Sequence, residues 1–338
     1  PMTRPASNNP LPTRRFALAG IAAALTSLAG RAPSLAAMRS LQVGYFPGVG
    51  TLPLWAGIEL GIFERAGLGV TAKPTPASSE LFAAIDRGDL DLAHTSIDNP
   101  IAYDAGVGAA ALTHRDFVAF AGVDDGMLRL VARPGISTIA ELRGKTLAVD
   151  AMSTGYAFAL RELLAKAGLT DADVTYVAKG GTQQRAEQLM AGAVDATLVT
   201  PPFDVQANAK GFRTLARATD VLGSYQGIAL VTRRAWLQAN RPVAITYVRA
   251  FRAALERVAT DRATAVGILM RNTKVDEPTA NASYDAAFGP QGGVHRDAAL
   301  DLAGIKTVLQ LRAKYAPPGA GSAPELYVDT TILRDASG

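Results

Sequence analysis

The chain carries one strand–loop–helix pattern twice, and that duplication limits what it can fold into. Residues 41–45 (LQVGY) answer 146–150 (TLAVD), residues 63–68 answer 164–169, and the segment from Glu80 to Leu92 answers the one from Glu187 to Ala196. The offsets run from 101 to 107 and the order is kept. A period that long is no solenoid repeat; it fits two similar α/β lobes in tandem. The 338 residues are enough for two cores.

The second copy is the clearer one. Thr146 to Asp150 is a short apolar strand, Met152-Ser153-Thr154-Gly155 a turn of small polar residues, and Tyr156 to Ala167 a helix that Gly168 ends. Phe158, Leu160, Leu163 and Leu164 fall close to one face of that helix. Ser153 or Thr154 can cap it, and the remaining N–H donors can hold an anionic or polar ligand. An ordinary βα turn would read the same way. In the first copy, a turn-rich loop follows the strand at 41–45, and Pro53 opens a helix running to about Phe63. Further strands are expected at 70–73, 90–94 and 117–122, with a helix from Glu80 to Arg87 ended by Gly88. This alternation implies largely parallel sheets, whose ligands sit at the carboxyl ends of the strands.

Charge and rare residues exclude several functions. The formal charge of +4 belongs to the first 36 residues, which hold Arg4, Arg14, Arg15 and Arg31 and no acid. The other 30 basic residues face 30 acidic ones, which removes the case for nucleic acid. With no cysteine there is no disulfide, thiolate nucleophile or lipidated N-terminal cysteine. His94, His114 and His295 do not form a helical pair for zinc, and no metal or other cofactor is expected. Arg14-Arg15-Phe16, a mild apolar run to Leu28 and the small residues around Ala36 and Ala37 resemble an export signal of the twin-arginine kind. Phe16 follows the arginines directly, so a general secretory signal is the alternative, and the run is short for a membrane span.

The loops at the strand ends cover residues 46–52, 75–79, 95–99, 151–156 and 200–203. They have the composition of a hydrogen-bonding pocket without a base–nucleophile pair. The candidate ligand residues are Tyr45, Phe46, Thr51, Leu52, Trp55, Ser78, Ser79, Ser96, Asp98, Asn99, Ser153, Thr154, Gly155, Tyr156, Thr200, Pro201, Phe203 and Tyr225. Asp98 and Asn99 are the sharpest polar pair; an N-cap before Pro100 is the competing explanation. Asp91 and Asp195 occupy equivalent places in the repeat and are expected to fix their own strand backbones. Gly180-Gly181-Thr182 lacks the lysine and spacing of a phosphate loop, and Lys179 and Arg185 lie only beside the named loops.

Several blocks, in this order, resemble the periplasmic solute-binding proteins of ABC importers, in the branch that takes nitrate, sulfonates, taurine or thiamine precursors. They are Val43-Gly44-Tyr45, Pro53-Leu54-Trp55-Ala56, Glu59 to Glu64, Gly67-Leu68, Gly88 to Ala93, Leu142 to Val149, and Gly192 to Ala196 continuing through Pro201-Pro202 to Phe212. The resemblance implies a two-lobed α/β fold of the second periplasmic-binding class, with mostly parallel sheets and an interlobe ligand cleft. It also implies two hinge crossings, expected near residues 127–133 and 225–232, at LRLVAR and GIALVT. Lobe I would comprise 37–128 and 229–338, lobe II 129–228, and the helices after Arg234 would pack on lobe I. The implied function is a monomeric exported receptor that captures a small molecule, an organic acid or sulfonate-like anion being favoured, and presents it to an inner-membrane permease. The alternatives are an enzyme on this fold acting on a small pyrimidine or organic acid, and an exported ligand sensor.

Overall fold

The computed structural model describes residues 1–3, 38–319 and 321–338. The export signal expected over residues 1–36, its cleavage near Ala36 or Ala37 included, lies outside the described residues apart from the first three. In chain order, the first lobe runs β1 (Arg39–Tyr45), α1 (Leu52–Glu59), α2 (Ile62–Arg65), β2 (Leu68–Pro74), α3 (Ser78–Arg87), β3 (Leu92–Ser96), α4 (Asp98–Asp104) and β4 (Phe117–Gly122). The second runs β5 (Arg129–Ala132), β6 (Thr146–Val149), α5 (Gly155–Lys166), β7 (Thr175–Ala178), α6 (Thr182–Met190), β8 (Ala196–Val199), α7 (Phe203–Ala209), β9 (Arg213–Arg217) and α8 (Ala218–Leu222). Then come β10 (Ile228–Arg233), α9 (Arg234–Ala239), α10 (Arg241–Thr260), α11 (Arg262–Thr273), α12 (Glu277–Phe288), α13 (Leu302–Tyr315) and α14 (Thr331–Ser337).

The repeat is a repeat of topology. One five-stranded sheet has the order β2-β1-β3-β10-β4 and the other β7-β6-β8-β5-β9. In each the first three strands are parallel and the fourth is antiparallel to the third. The antiparallel strand carries a register shift at Leu230/Val231 in one sheet and at Leu130/Val131 in the other. Asp91 Oδ2 accepts from the Gln42 N–H at 2.7 Å, and Asp195 Oδ2 accepts from the Thr146 N–H at 2.7 Å. The two carboxylates are equivalent, as their places in the repeat imply, but each ties the start of β3 or β8 to the neighbouring strand, β1 or β6, instead of fixing its own strand backbone.

The extended runs LRLVAR and GIALVT are not the crossings. They contain β5 and β10, each docked in the lobe opposite to the one the chain has just left. The crossings lie just before them, at residues 123–128 and 223–227. There the Gly227 N–H donates to the Asp124 carbonyl at 2.8 Å, and the Gln226 amide donates to the Asp124 and Ile228 carbonyls. The helix expected from Pro53 to Phe63 is broken in two, because Gly61 takes a left-handed conformation (φ 65°).

α10, α11 and α14 bury their apolar stripes with Leu54, Phe63 and Val43 in a core on lobe I. α13 departs from the expected packing. It lies on α5 of lobe II, where Ile305, Val308 and Leu309 join Phe158, Leu160 and Leu163 in a second core that continues to Phe82 and Phe117 of lobe I. The chain then returns, and Val328 bridges to Ala119 of β4. Among the described residues no helix is long and apolar enough to cross a membrane.

Candidate functional site

The two lobes meet along a cleft at the carboxyl ends of β1, β3, β6 and β8. On one rim the Val49 N–H donates to the Pro201 carbonyl at 2.8 Å, and on another the Gly181 N–H donates to the Pro76 carbonyl at 2.7 Å. The Ser78 hydroxyl donates to Asp150 Oδ2 across the cleft at 2.8 Å. Arg312 of α13, 2% exposed, donates through Nε and Nη2 to the carboxylate of Asp98 at 2.9 and 2.7 Å, and through Nη2 to the Ser153 carbonyl. Its guanidinium also lies over the Phe158 ring. These contacts hold the lobes in a closed arrangement.

The cleft holds a cavity that opens to solvent. Phe46, Pro47, Gly48, Gly50 and Thr51 line it from the loop after β1, and Ser96 and Asn99 from the β3–α4 junction. Asp124, Gly126, Met127 and Ile228 form the hinge side. Lobe II contributes Asp150, Thr154, Gly155 and Tyr156 from the β6–α5 turn, Gly181, Thr182 and Arg185 from the start of α6, and Thr200 after β8.

Of the residues expected from the sequence, Phe46, Thr51, Ser96, Asn99, Thr154, Gly155, Tyr156 and Thr200 therefore line the cleft. The others do not. Leu52 and Trp55 are in the lobe I core, and Tyr45 packs edge-on against Trp55. Phe203 packs beneath β8, and Tyr225 is buried in the second core. Ser78 and Ser79, expected in a loop, form the first turn of α3; Ser78 is spent on Asp150 and Ser79 borders a separate open groove. Pro201 and Ser153 use their carbonyls between lobes. Asp98 does not line the cavity and is not the N-cap of α4: it is fully buried and its carboxylate is matched by Arg312. Thr154 holds the N-cap position of α5, but its hydroxyl donates to the Ala151 carbonyl instead of capping.

Three charged residues of the cleft, Arg185, Asp124 and Asp150, lie outside the expected set. Arg185 is 2% exposed, and all its acceptors are neutral: Thr197 Oγ1, Thr182 Oγ1 and the carbonyls of Gly180 and Leu198. Burial pulls its pKa down, and the charge of Asp150 opposes that. The signal for Arg185 is the segment Gly180-Gly181-Thr182, which is no phosphate loop but leads into α6. Asp124 is 1% exposed and accepts from the N–H groups of Gly126 and Ile228 at Oδ1. Burial raises its pKa to about 6, with Asp125 adding to the rise and the two N–H bonds and His295 opposing it. The hydroxyl of Tyr156 is held protonated, first by burial and next by the charge of Asp124. The Ser96 hydroxyl, buried beside the cleft, has no hydrogen-bond partner among the described residues.

Residues 36–269 match the model of the NMT1-like family. Among curated proteins no significant match is found. The fold matches the alkanesulfonate-binding protein SsuA from Xanthomonas axonopodis pv. citri bound to MOPS, with a TM-score of 0.71 and 20% identity over 86% of this chain and 98% of that one. It also matches the periplasmic nitrate-binding protein NrtA from Synechocystis PCC 6803, with a TM-score of 0.74 and 14% identity over 89% and 88% of the two chains. A cysteine-to-serine mutant of DSZB in complex with biphenyl-2-sulfinic acid matches with a TM-score of 0.61 and 14% identity over 89% and 99%. At these identities the likeness establishes the fold, which is the two-lobed α/β architecture of periplasmic binding proteins.

Proposed function

The chain belongs to the NMT1-like family, and from that premise we propose that it is the exported solute receptor of an ABC importer, with a small organic anion as its ligand. Arg185 carries this reading. Its guanidinium is buried in the cleft with neutral hydrogen-bond acceptors and no direct ion pair among the described residues; Asp150 acts on it only from nearby, and a carboxylate or sulfonate placed there supplies a direct partner. The cleft can hold such a head while the cross-lobe contacts close over it. The closed form is then the surface a permease partner distinguishes from the open one. The sulfonate- and nitrate-binding proteins that share the fold support an anionic ligand and a periplasmic location.

A thermal-shift screen against sulfonates, carboxylates, inorganic oxoanions, aromatic acids and pyrimidines tests the proposal. A ligand at about 100 times its Kd adds about 2.7 kcal/mol of stability. The expected result is a shift confined to one anionic class, weakened at least about tenfold in affinity, or about 1.4 kcal/mol, in Arg185→Met. Shifts from neutral pyrimidines alone, or an Arg185→Met variant that binds the anion as tightly, would sink it. Steady consumption of the ligand by the purified protein would favour the enzyme alternative instead.

A further inference from the structure

The receptor reading leaves one group in the cleft unexplained. An anion balances Arg185, yet two carboxylates, Asp124 and Asp150, line the same space. Asp150 has the Ser78 hydroxyl across the cleft and the nearby charge of Arg185. Asp124 faces two ways. Its Oδ1 accepts from Gly126 on the first crossing and from Ile228 at the end of the second, each at 2.9 Å. Its Oδ2 accepts no hydrogen bond among the described residues and lies over Gly50, where a Cβ would come within 2.3 Å of it. Gly50 lines the cleft as well, so the bare backbone at this position leaves room for that oxygen at the ligand space. Among the described residues no Lys or Arg is paired with Asp124; Asp125 and His295 are the titratable neighbours acting on it along the hinge, and Tyr156 feels its charge from across the cleft. With Oδ1 taking both N–H bonds, Oδ2 is left to accept from a group bound in the cleft.

We propose that Asp124 reads a hydrogen-bond donor on the ligand, an amine or amide N–H, and ties that contact directly to both hinge strands. The inference rests on the anion-receptor reading and narrows it: the ligand carries an acidic head for Arg185 and an N–H group for Asp124. Recognition at Oδ2 then acts on the same carboxylate whose other oxygen joins the two crossings. A ligand lacking the donor leaves Oδ2 unpaired in the closed state, and binding loses that contact.

The test is calorimetric titration of the full chain with matched pairs: propionate against 3-aminopropionate, and ethanesulfonate against 2-aminoethanesulfonate. The amino member of at least one pair should bind about tenfold or more tighter to the wild type. Asp124→Asn keeps an acceptor for Gly126 and Ile228 but turns a donor toward the cleft, so the preference should collapse or reverse. Arg185→Met should weaken both members of the pair alike. If the members bind equally to the wild type, or the preference survives in Asp124→Asn, the inference fails while the receptor reading stands. If neither pair binds, the anion reading fails for these heads and the inference falls with it. The wild-type ratio is decisive even where the variant does not fold.

Discussion

His94 shows how a single buried group can set the acid limit of the whole chain. It is 1% exposed, with Nε2 at 2.8 Å from the Tyr247 hydroxyl and Nδ1 unpartnered among the described residues. Burial lowers its pKa to about 3. The unfolded chain takes up that proton near the ordinary value of about 6.5, so the stabilisation is complete above that pH and is lost as pH falls toward 3. Asp124 has the opposite sign. Its pKa of about 6 lies above the ordinary carboxylate value, so the folded state holds the proton first. Its penalty is present above about 6 and is relieved as pH falls toward 4. Calorimetric melting at pH 7 and pH 5 separates the two: relative to wild type, His94→Gln should lose less Tm on acidification and Asp124→Asn should lose more. Equal pH dependence in all three proteins would refute both assignments. The equivalence of Asp91 and Asp195 was legible at this scale because the repeat puts them at matching places; that each bonds to the neighbouring strand was not. Arg185 and Asp124 were not, since their importance comes from burial, which a residue acquires only from elements distant in the chain.

Among the elements, α13 is the one whose place the sequence least revealed. Its apolar spacing announces a helix, but the same stripe would suit either lobe. Arg312 decides the matter locally: it carries the guanidinium that meets Asp98 of α4, 214 residues away in sequence, and the Ser153 carbonyl of lobe II. Both charges are buried, so Arg312→Met strands a carboxylate and should cost about 3–5 kcal/mol. The pair Asp98→Asn with Arg312→Met should cost clearly less, because no bare charge remains. Chemical denaturation of the two variants checks this; a double variant as unstable as Arg312→Met alone would mean the ion pair is incidental to packing. The shorter surprises have the same origin. Ser78 and Ser79 read as loop residues, yet they begin α3, where Ser78 meets a carboxylate of the other lobe.

For the molecule as a whole, the closeness of the lobes depends on a position without a side chain. Gly155, at the first turn of α5, sits against Asp98 of lobe I, and a Cβ there would lie 2.4 Å from the Asp98 Cβ and 2.6 Å from its Cγ. Asp98 cannot swing aside without leaving Arg312. Gly155→Ala should therefore prise the lobes apart, lowering stability by about 1–3 kcal/mol. Small-angle scattering should show a larger radius of gyration; an unchanged radius and Tm would show that the interface absorbs the methyl. By itself, the sequence determined the architecture. Two runs of βα units with matching order, each strand alternation and each terminating glycine a local signal, dictate two like sheets and place their loops at the carboxyl ends. Only the tertiary structure decided which of those loop residues face the ligand space, which strands change lobe, and where α13 rests. The reason is physical: secondary structure follows from the nearest few residues along the chain. The pairing of Arg312 with Asp98, the isolation of Arg185 and the open oxygen of Asp124 are set by which surfaces exclude water when the two lobes close.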